Sequence, residues 1–375
     1  MTAVPRGAGP RSAATLGALT SGQLRRLGPV AGLSATDTET YADVLTDSLG
    51  PVADRSLHLP PPARTFLSDD HTPVEFSLSF QPDAAPALRV LLEPGCGADS
   101  LVRNGRAGLE TIRAMARRWH FSTGPLDAVE DLFLPVSPHG PLALWCALEL
   151  GPGGVPKVKV YLNPAANGPE RSAATVREAL HRLGHRRAFA GLPEGSAYPF
   201  LALDLGDWEE PRAKVYVRHD NLTAAHAGRL SRMDPGPSAS TIEGFFRTVA
   251  GIAPDGTGLS RRPGLSCHSF TDAAAARPSG FTLHIPVRDY ARHDGEALAR
   301  ATRVLRRYGM DASALTRALA ALTDRRPEDG VGLIAYLALA HQQGRPPRVT
   351  AYLSSEAYAV RPPAVAEVRE PAAVR

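Results

Sequence analysis

The sequence has only three cysteines, Cys96, Cys146 and Cys267, which lie far apart in a chain of 375 residues. They form no CxxC pair and no Cys/His spacing of a metal site, which is typical of a protein kept in a reducing compartment. Apolar runs such as 142–148 and 331–340 are too short to cross a bilayer, and the N-terminus has no apolar stretch of a secretory signal. We therefore expect a cytoplasmic protein without a membrane partner.

A strong charge bias is also missing. The net charge of +4 is spread along the chain, without a basic tail or a basic stripe with interleaved aromatics, so we expect no nucleic-acid partner. The hydrophobic content of 43% is that of a globular protein. We predict a disordered N-terminus over residues 1–15, a single domain over 16–360 and a tail over 361–375.

Lysine is nearly absent, and its three positions are informative. Lys157 and Lys159 lie in the segment KVKVY, and Lys214 lies in RAKVY, while every other basic residue is an arginine. Side chains alternate between the faces of a strand, so each segment places two cations and then a tyrosine, Tyr161 or Tyr216, on one face. Two such strands side by side would line a cavity suited to a polyanion such as diphosphate.

Strand-like and helix-like segments alternate in a repeated order. Pairs of predicted strands cover 73–80 with 88–93, 142–150 with 157–163, 198–205 with 212–218, 265–270 with 280–287, and 332–340 with 348–354. Helices are predicted over 21–27, 37–49, 106–119, 170–181, 241–249, 296–308 and 312–322. Most strands have one apolar and one polar face. Helices between the pairs would cover the apolar face, so we predict an α+β fold, a closed ten-stranded antiparallel β-barrel with a polar lumen ringed by helices. The alternative is a flat sheet with one solvated face.

Several of these segments together are similar to a known family. They are residues 66–77 (FLSDDHTPVEFS), Arg89 ahead of 92–95 (LEPG), the two lysine strands and, more weakly, 352–354 (YLS). In this order they resemble the bacterial-like aromatic prenyltransferases of the dimethylallyltryptophan synthase type, over roughly residues 35–360. The family fold is a ten-stranded barrel ringed by helices.

The resemblance implies a role for each matching residue. Glu75 would accept the N–H of an indole, and the backbone carbonyl of Leu67 would contact the amino-acid part of the acceptor. The cations implied to hold the donor's diphosphate are Arg89, Lys159, Arg212 and Lys214, and the tyrosines implied to shield the allyl cation are Tyr161, Tyr216 and Tyr352. Arg348 is a further candidate diphosphate ligand from its place in the last strand, with an exposed edge charge as the alternative.

Two departures from the family limit what is carried over. His284 stands where the family often has a tyrosine, so either His284 or a water could accept the ring proton. Members that alkylate indole C4 carry a lysine base on the third strand, where this chain has none.

The activity implied is transfer of dimethylallyl from dimethylallyl diphosphate to the indole ring of L-tryptophan or a close indole, away from C4, with release of diphosphate. The sequence has no DDxxD motif of the kind that binds magnesium, and we expect no metal and no cofactor. The alternatives are the same chemistry on tyrosine, a cyclic dipeptide or a phenol, or a non-catalytic binder of diphosphate metabolites. We expect a monomer or homodimer.

Overall fold

The ten predicted strands are all present in the computed structural model, which describes residues 14–206, 208–253 and 257–364. Each begins and ends within three residues of its predicted bounds. The strands are β1 (Val74–Phe80), β2 (Ala87–Leu92), β3 (Leu144–Leu150), β4 (Lys157–Leu162), β5 (Ala197–Leu205), β6 (Ala213–His219), β7 (Gly264–Phe270), β8 (Gly280–Ile285), β9 (Ile334–Gln342) and β10 (Arg345–Ser354).

Helices fill the segment before β1 and the connections that follow β2, β4, β6 and β8. They are α1 (Leu16–Leu27), α2 (Ala35–Leu49), α3 (Leu101–Trp119), α4 (Gly124–Asp127), α5 (Glu130–Phe133), α6 (Ser172–Arg182), α7 (Ala224–Ala227), α8 (Ala239–Ala250), α9 (Asp294–Arg307) and α10 (Ala312–Leu322). Five of them begin two to five residues earlier than predicted. Their starts are fixed by capping side chains that the periodicity did not take into account, namely Thr15, Ser34, Ser100, Ser238 and His293.

Every strand pairs antiparallel with the next one along the chain, and β1 also pairs with β10, so the sheet closes into a barrel. Glu75 in β1 lies opposite both Leu91 in β2 and Ser354 in β10. All seven residues of β1 are buried, which a strand with one solvated face would not show. The predicted barrel is confirmed, and the flat-sheet alternative is wrong.

The main core lies between the barrel wall and the helices outside it. Phe76 and Phe80 of β1 and Phe246 of α8 are fully buried there, each worth about 1.5–3 kcal/mol of burial free energy. At Gly108, α3 comes so close to β3 that a Cβ would lie 2.9 Å from the Leu144 side chain. The outward strand faces are thus used for packing, and the inward faces remain for a lumen.

The hairpin between β9 and β10 turns at Gln343 and Gly344, and Gly344 has the left-handed φ of +69°. Strand β10 begins at Arg345, three residues earlier than the predicted start at Arg348. Its two prolines fall at a bulge between the pairs made by Arg345 and Arg348, where the ladder does not need their missing amide hydrogens.

The predicted disordered segment 1–15 and tail 361–375 fall largely outside the described residues, so the division of the chain stays a prediction. Within the described ranges, no helix has the length and apolarity needed to span a bilayer.

Candidate active site

The two lysine strands are not neighbours in the sheet, because β5 lies between them. Their inward side chains nevertheless come together inside the barrel. Ala202 of β5 stands opposite Tyr161 of β4 on one side and Lys214 of β6 on the other. Its methyl group leaves room across the strand, and the rings of Tyr161 and Tyr216 approach to 5.8 Å between centroids. A small residue on β5 therefore brings the matched segments together.

The five predicted diphosphate ligands form what we call the cation layer: Arg89, Lys159, Arg212, Lys214 and Arg348. The three arginines line one cavity at the hairpin end of the lumen, the cationic cavity, which is also lined by Lys157, Trp208 and Arg345. Lys159 and Lys214 lie deeper and are both buried. Arg348 is half-buried and lines this cavity, so it belongs to the lumen and not to an exposed edge. Burial and the charges of Arg89 and Arg212 lower its pKa to about 10.

A buried carboxylate that the sequence analysis missed lies beneath these cations. Asp204 accepts a hydrogen bond of 2.6 Å from Arg212 Nε, and its Oδ1 lies 3.4 Å from Lys159 Nζ and 4.0 Å from Lys214 Nζ. Burial raises the pKa of Asp204, but the three cations outweigh burial and lower it to about 2. Burial also lowers the pKa of Lys214 well below its ordinary value. Asp204 opposes this shift, whereas the charges of Lys159 and Arg212 increase it.

A second carboxylate is paired inside the cationic cavity. Arg89 donates to Glu149 Oε2 at 2.7 Å, directly across β2 and β3. Burial raises the pKa of Glu149, but the charges of Arg89 and then Lys159 outweigh burial and lower the pKa to about 2. With pKa values of about 2, Asp204 and Glu149 are both charged at neutral pH.

Aromatic rings follow the cation layer along the lumen. Tyr161, Tyr216, His284 and Tyr352 form a continuous arc, the aromatic arc, with centroid separations of 5.6 to 5.8 Å. His284 Nε2 lies 3.2 Å from the Tyr352 hydroxyl. Burial, with a smaller effect of Lys214, lowers the pKa of His284 to about 4, so the imidazole is neutral near pH 7.

The four rings of the aromatic arc form one wall of a mostly apolar cavity, the acceptor cavity. Its lining includes both predicted acceptor ligands, Glu75 and Leu67, and further residues, namely Phe66, Leu91, Trp145, Phe200, Arg262, Leu265, Arg288 and Tyr336. Burial raises the pKa of Glu75 to about 8, while Arg288 opposes that rise. The sequence left the direction of this shift open, and desolvation decides it.

Two arginines bring positive charge to the open side of the acceptor cavity. Arg288 is buried, lies over the ring of Tyr336 at 5.1 Å and pairs with Asp69 at 3.0 Å. Arg262 pairs with the same carboxylate at 3.1 Å and with Asp289 at 2.6 Å. An anionic group of an acceptor could bind these arginines in competition with Asp69 and Asp289.

Some of the missed residues carried a signal in the sequence. Phe200 and Asp204 alternate with Leu201, Leu203 and Leu205 on β5, and this pattern predicts that they face the lumen. Trp208, Arg262 and Arg288 lie on connections, where no periodicity indicates direction. Trp208 lies within 4.9 to 5.4 Å of Lys157, Lys159 and Arg212, and so forms an aromatic platform beside the cations.

Among the described residues, no group of three or more His, Cys, Asp or Glu side chains is arranged to hold a metal ion. A cationic cavity, an arc of aromatic rings and a mostly apolar cavity with one buried carboxylate follow one another within a closed barrel. Together they define a prenyltransferase of the aromatic barrel type.

The chain belongs to the tryptophan dimethylallyltransferase family, whose model matches residues 38–318. The expected family and enzyme class are confirmed. The chain is 74% identical to the 5-dimethylallyl tryptophan synthase from Streptomyces coelicolor, solved with DMASPP and Trp, over 96% of this chain and 100% of that one, with a TM-score of 0.91. It is 64% identical to prenyltransferase PriB, solved with L-tryptophan and dimethylallyl thiolodiphosphate, over 94% and 99%, with a TM-score of 0.92. The 6-dimethylallyltryptophan synthase from Micromonospora olivasterospora is 38% identical over 93% and 100%, with a TM-score of 0.86.

Proposed function

We propose that this protein transfers dimethylallyl from dimethylallyl diphosphate to C5 of the indole ring of L-tryptophan. The observation that carries the proposal is the order of the three layers, because a donor on the cations would direct its allyl carbon through the aromatic arc toward an indole held at Glu75. The greater identity to the 5-dimethylallyl tryptophan synthase than to the 6-dimethylallyltryptophan synthase supports C5.

In the first step the C1–O bond of the donor breaks, and diphosphate leaves with the electron pair. Lys159, Arg212 and Lys214 stabilise the charge that develops on the leaving oxygens, an effect that can reach about 3 kcal/mol for a well-placed donor. The allyl cation then lies against the faces of Tyr161 and Tyr216. These rings exclude water and attract the cation by about 0.5–2 kcal/mol each.

In the second step the indole ring attacks the allyl cation, and a C–C bond forms at the ring carbon. Glu75 accepts the indole N–H and so makes the ring more electron-rich. The alkylated carbon then loses its proton to restore aromaticity. We assign this proton to the neutral imidazole of His284, which lies in the aromatic arc with its Nε2 3.2 Å from the Tyr352 hydroxyl.

The amino-acid part of the acceptor would lie at the open side of its cavity. There the carbonyl of Leu67 would accept from the ammonium group, and Arg288 and Arg262 would face the carboxylate. Tyrosine or a phenol would fill the cavity without using the acceptor at Glu75, which favours an indole over those alternatives.

The test is incubation of the purified protein with dimethylallyl diphosphate, L-tryptophan and excess EDTA, with the product analysed by mass spectrometry and NMR. We expect 5-dimethylallyltryptophan. Product at another ring carbon would correct the position, and product only with tyrosine or an indole diketopiperazine would overturn the acceptor. Activity that EDTA abolishes and magnesium restores would overturn the expected independence of metal.

A paired variant separates an enzyme from a binder of diphosphate metabolites. Changing Tyr161→Leu and Tyr216→Leu together removes the π faces and leaves the cation layer. We expect normal diphosphate binding, with turnover lower by about tenfold or more and with more dimethylallyl alcohol per prenylated product. A wild-type protein that binds diphosphate and prenylates no aromatic acceptor would support the binder.

We infer that the enzyme acts in the cytoplasm. The three cysteines are free and buried, which suits a reducing compartment. Fractionation of the native host should recover the activity without detergent, and recovery only from membranes or from the medium would overturn this.

A further inference from the structure

One buried carboxylate connects two walls of the acceptor cavity. Glu93 follows the last residue of β2 and is buried. It accepts hydrogen bonds from Thr65 Oγ1, from Asn104 Nδ2 at 2.6 Å and from Trp145 Nε1 at 3.2 Å. All three donors are neutral side chains, and they come from the segment before β1, from α3 and from β3.

The first contact fixes the backbone that carries Leu67. Thr65 donates to Glu93, and its hydroxyl oxygen accepts in turn from the backbone N–H of Leu67 at 3.2 Å. Leu67 lines the acceptor cavity and packs with Trp145 in one small cluster of buried residues. The carbonyl assigned to the acceptor therefore belongs to a segment anchored on Glu93.

The second contact fixes the adjoining wall. Trp145 lines the acceptor cavity, stands opposite Tyr161 across β3 and β4, and lies 5.2 Å from Phe200 between ring centroids. Its indole N–H donates to Glu93. A tryptophan ring without this bond would leave a buried donor unpaired and free to turn, and its face would no longer be set.

The carboxylate itself is held rigidly. The backbone N–H of Glu93 donates to Pro73 O at 3.1 Å. Two residues on, a Cβ at Gly95 would lie 2.2 Å from the carbonyl oxygen of Asn104, so the segment packs directly against α3. Glu93 thus links α3 and the start of β1 to both walls by hydrogen bonds.

We propose that Glu93 is a positioning residue that orients the acceptor ring against the allyl cation, acting through Trp145 and Leu67. The inference rests on the proposed function, because it requires an indole acceptor in this cavity. Ring position depends on which carbon faces the cation, so a loosened wall changes the product as well as the rate.

Glu93→Gln is a matched control, because Asn104 can still hydrogen-bond to the glutamine. Asn104 Oδ1 is buried without a hydrogen-bond partner. In Glu93→Gln the amide oxygen can accept from Thr65 and Trp145, and the new NH₂ can donate to Asn104 Oδ1 once that side-chain amide turns over. Glutamine therefore preserves the network, whereas Glu93→Ala leaves three buried donors unpaired.

The experiment compares wild type, Glu93→Gln and Glu93→Ala in KM for each substrate, kcat and regioisomer ratio. We expect Glu93→Ala to raise KM for L-tryptophan by about tenfold or more and to add a second regioisomer, with KM for dimethylallyl diphosphate within about twofold. Glu93→Gln should recover the wild-type isomer ratio. If Glu93→Ala does not fold, Trp145→Phe, which keeps a ring and removes the N–H, should shift the same two quantities.

An unchanged isomer ratio and an unchanged KM for L-tryptophan in Glu93→Ala would overturn the proposal. If Glu93→Ala does not fold, the same result in Trp145→Phe would overturn it. Equal rises in both KM values would do the same, since they would indicate a general loss of structure. A Glu93→Gln variant as impaired as Glu93→Ala would show that the charge matters and not the network. Wild-type enzyme that makes no prenyltryptophan would count against the proposed function itself, which these variants do not test.

Discussion

Asp204 and Lys159 face each other across β5 and β4 at the base of the cation layer, with 3.4 Å between Oδ1 and Nζ. A carboxylate in this place competes with diphosphate for the same cations. It is paired with Lys159 and Arg212 in the empty site, and this pairing weakens their hold on the product.

We expect Asp204→Asn to bind inorganic diphosphate more tightly than wild type, by about tenfold, because the competing charge is gone while the shape remains. Isothermal titration calorimetry at neutral pH measures this, and kcat should fall if product release limits turnover. Asp99→Asn, which breaks an exposed pair with Arg103, is the control and should bind like wild type. Weaker binding by Asp204→Asn would mean that orientation of the cations outweighs competition.

Diphosphate binding should take up protons under alkaline conditions. The pKa of Lys214 is lowered mainly by burial and further by Lys159 and Arg212, so this amine loses its proton early as pH rises. A bound polyanion favours the charged amine and raises that pKa again. Calorimetry in two buffers of different ionisation enthalpy should show the uptake, and Lys214→Arg should abolish it. The same uptake in Lys214→Arg would assign it to another group.

The kcat/KM for L-tryptophan should rise with pH through about 8. Glu75 has a pKa of about 8 in the free enzyme because it is buried, and only its ionised form is a strong acceptor for the indole N–H. His284, with a pKa of about 4, contributes no limb near neutrality. Glu75→Gln should lack the limb and lose about tenfold or more in kcat/KM. A limb that persists in Glu75→Gln would contradict the assignment.

Glu75 should also cost stability at high pH. Its folded pKa of about 8 lies above the ordinary value of 4.5, so the stability that the protonated form has at low pH is lost as pH rises through about 8. Glu75→Gln keeps a neutral side chain and should unfold at a higher temperature than wild type. The difference should be small near about pH 5 and reach the order of a few kcal/mol at about pH 8. Thermal unfolding across this range measures it, and a difference that does not change with pH would contradict it.

The strands and their faces could be predicted because alternation is a local property. It placed Lys159, Tyr161, Lys214 and Tyr216 on inward faces, and the barrel confirms those directions. The two lysine strands are not the side-by-side pair that the repeated segments suggested, because the predicted strand between them in the sequence, β5, also lies between them in the sheet.

The electrostatics of the site depended on distances that only the closed barrel defines. Asp204 could be read as an inward polar residue, but its contact with three cations required β4, β5 and β6 in register. Likewise, the raised pKa of Glu75 follows from the depth of its burial. Arg262 and Arg288 lie on connections, so the cationic side of the acceptor cavity had no sequence signal.

The turns of all five β-hairpins lie at the cationic end of the barrel, whereas the helical connections meet at the end where Phe66, Arg262 and Arg288 reach the acceptor. The turn between β5 and β6 carries Trp208 of the cationic cavity, whereas the long helical connections at the other end tolerate substitution and insertion. Directed evolution toward new aromatic substrates should therefore concentrate its libraries on the helical end, where diversity leaves the ionisation machinery intact.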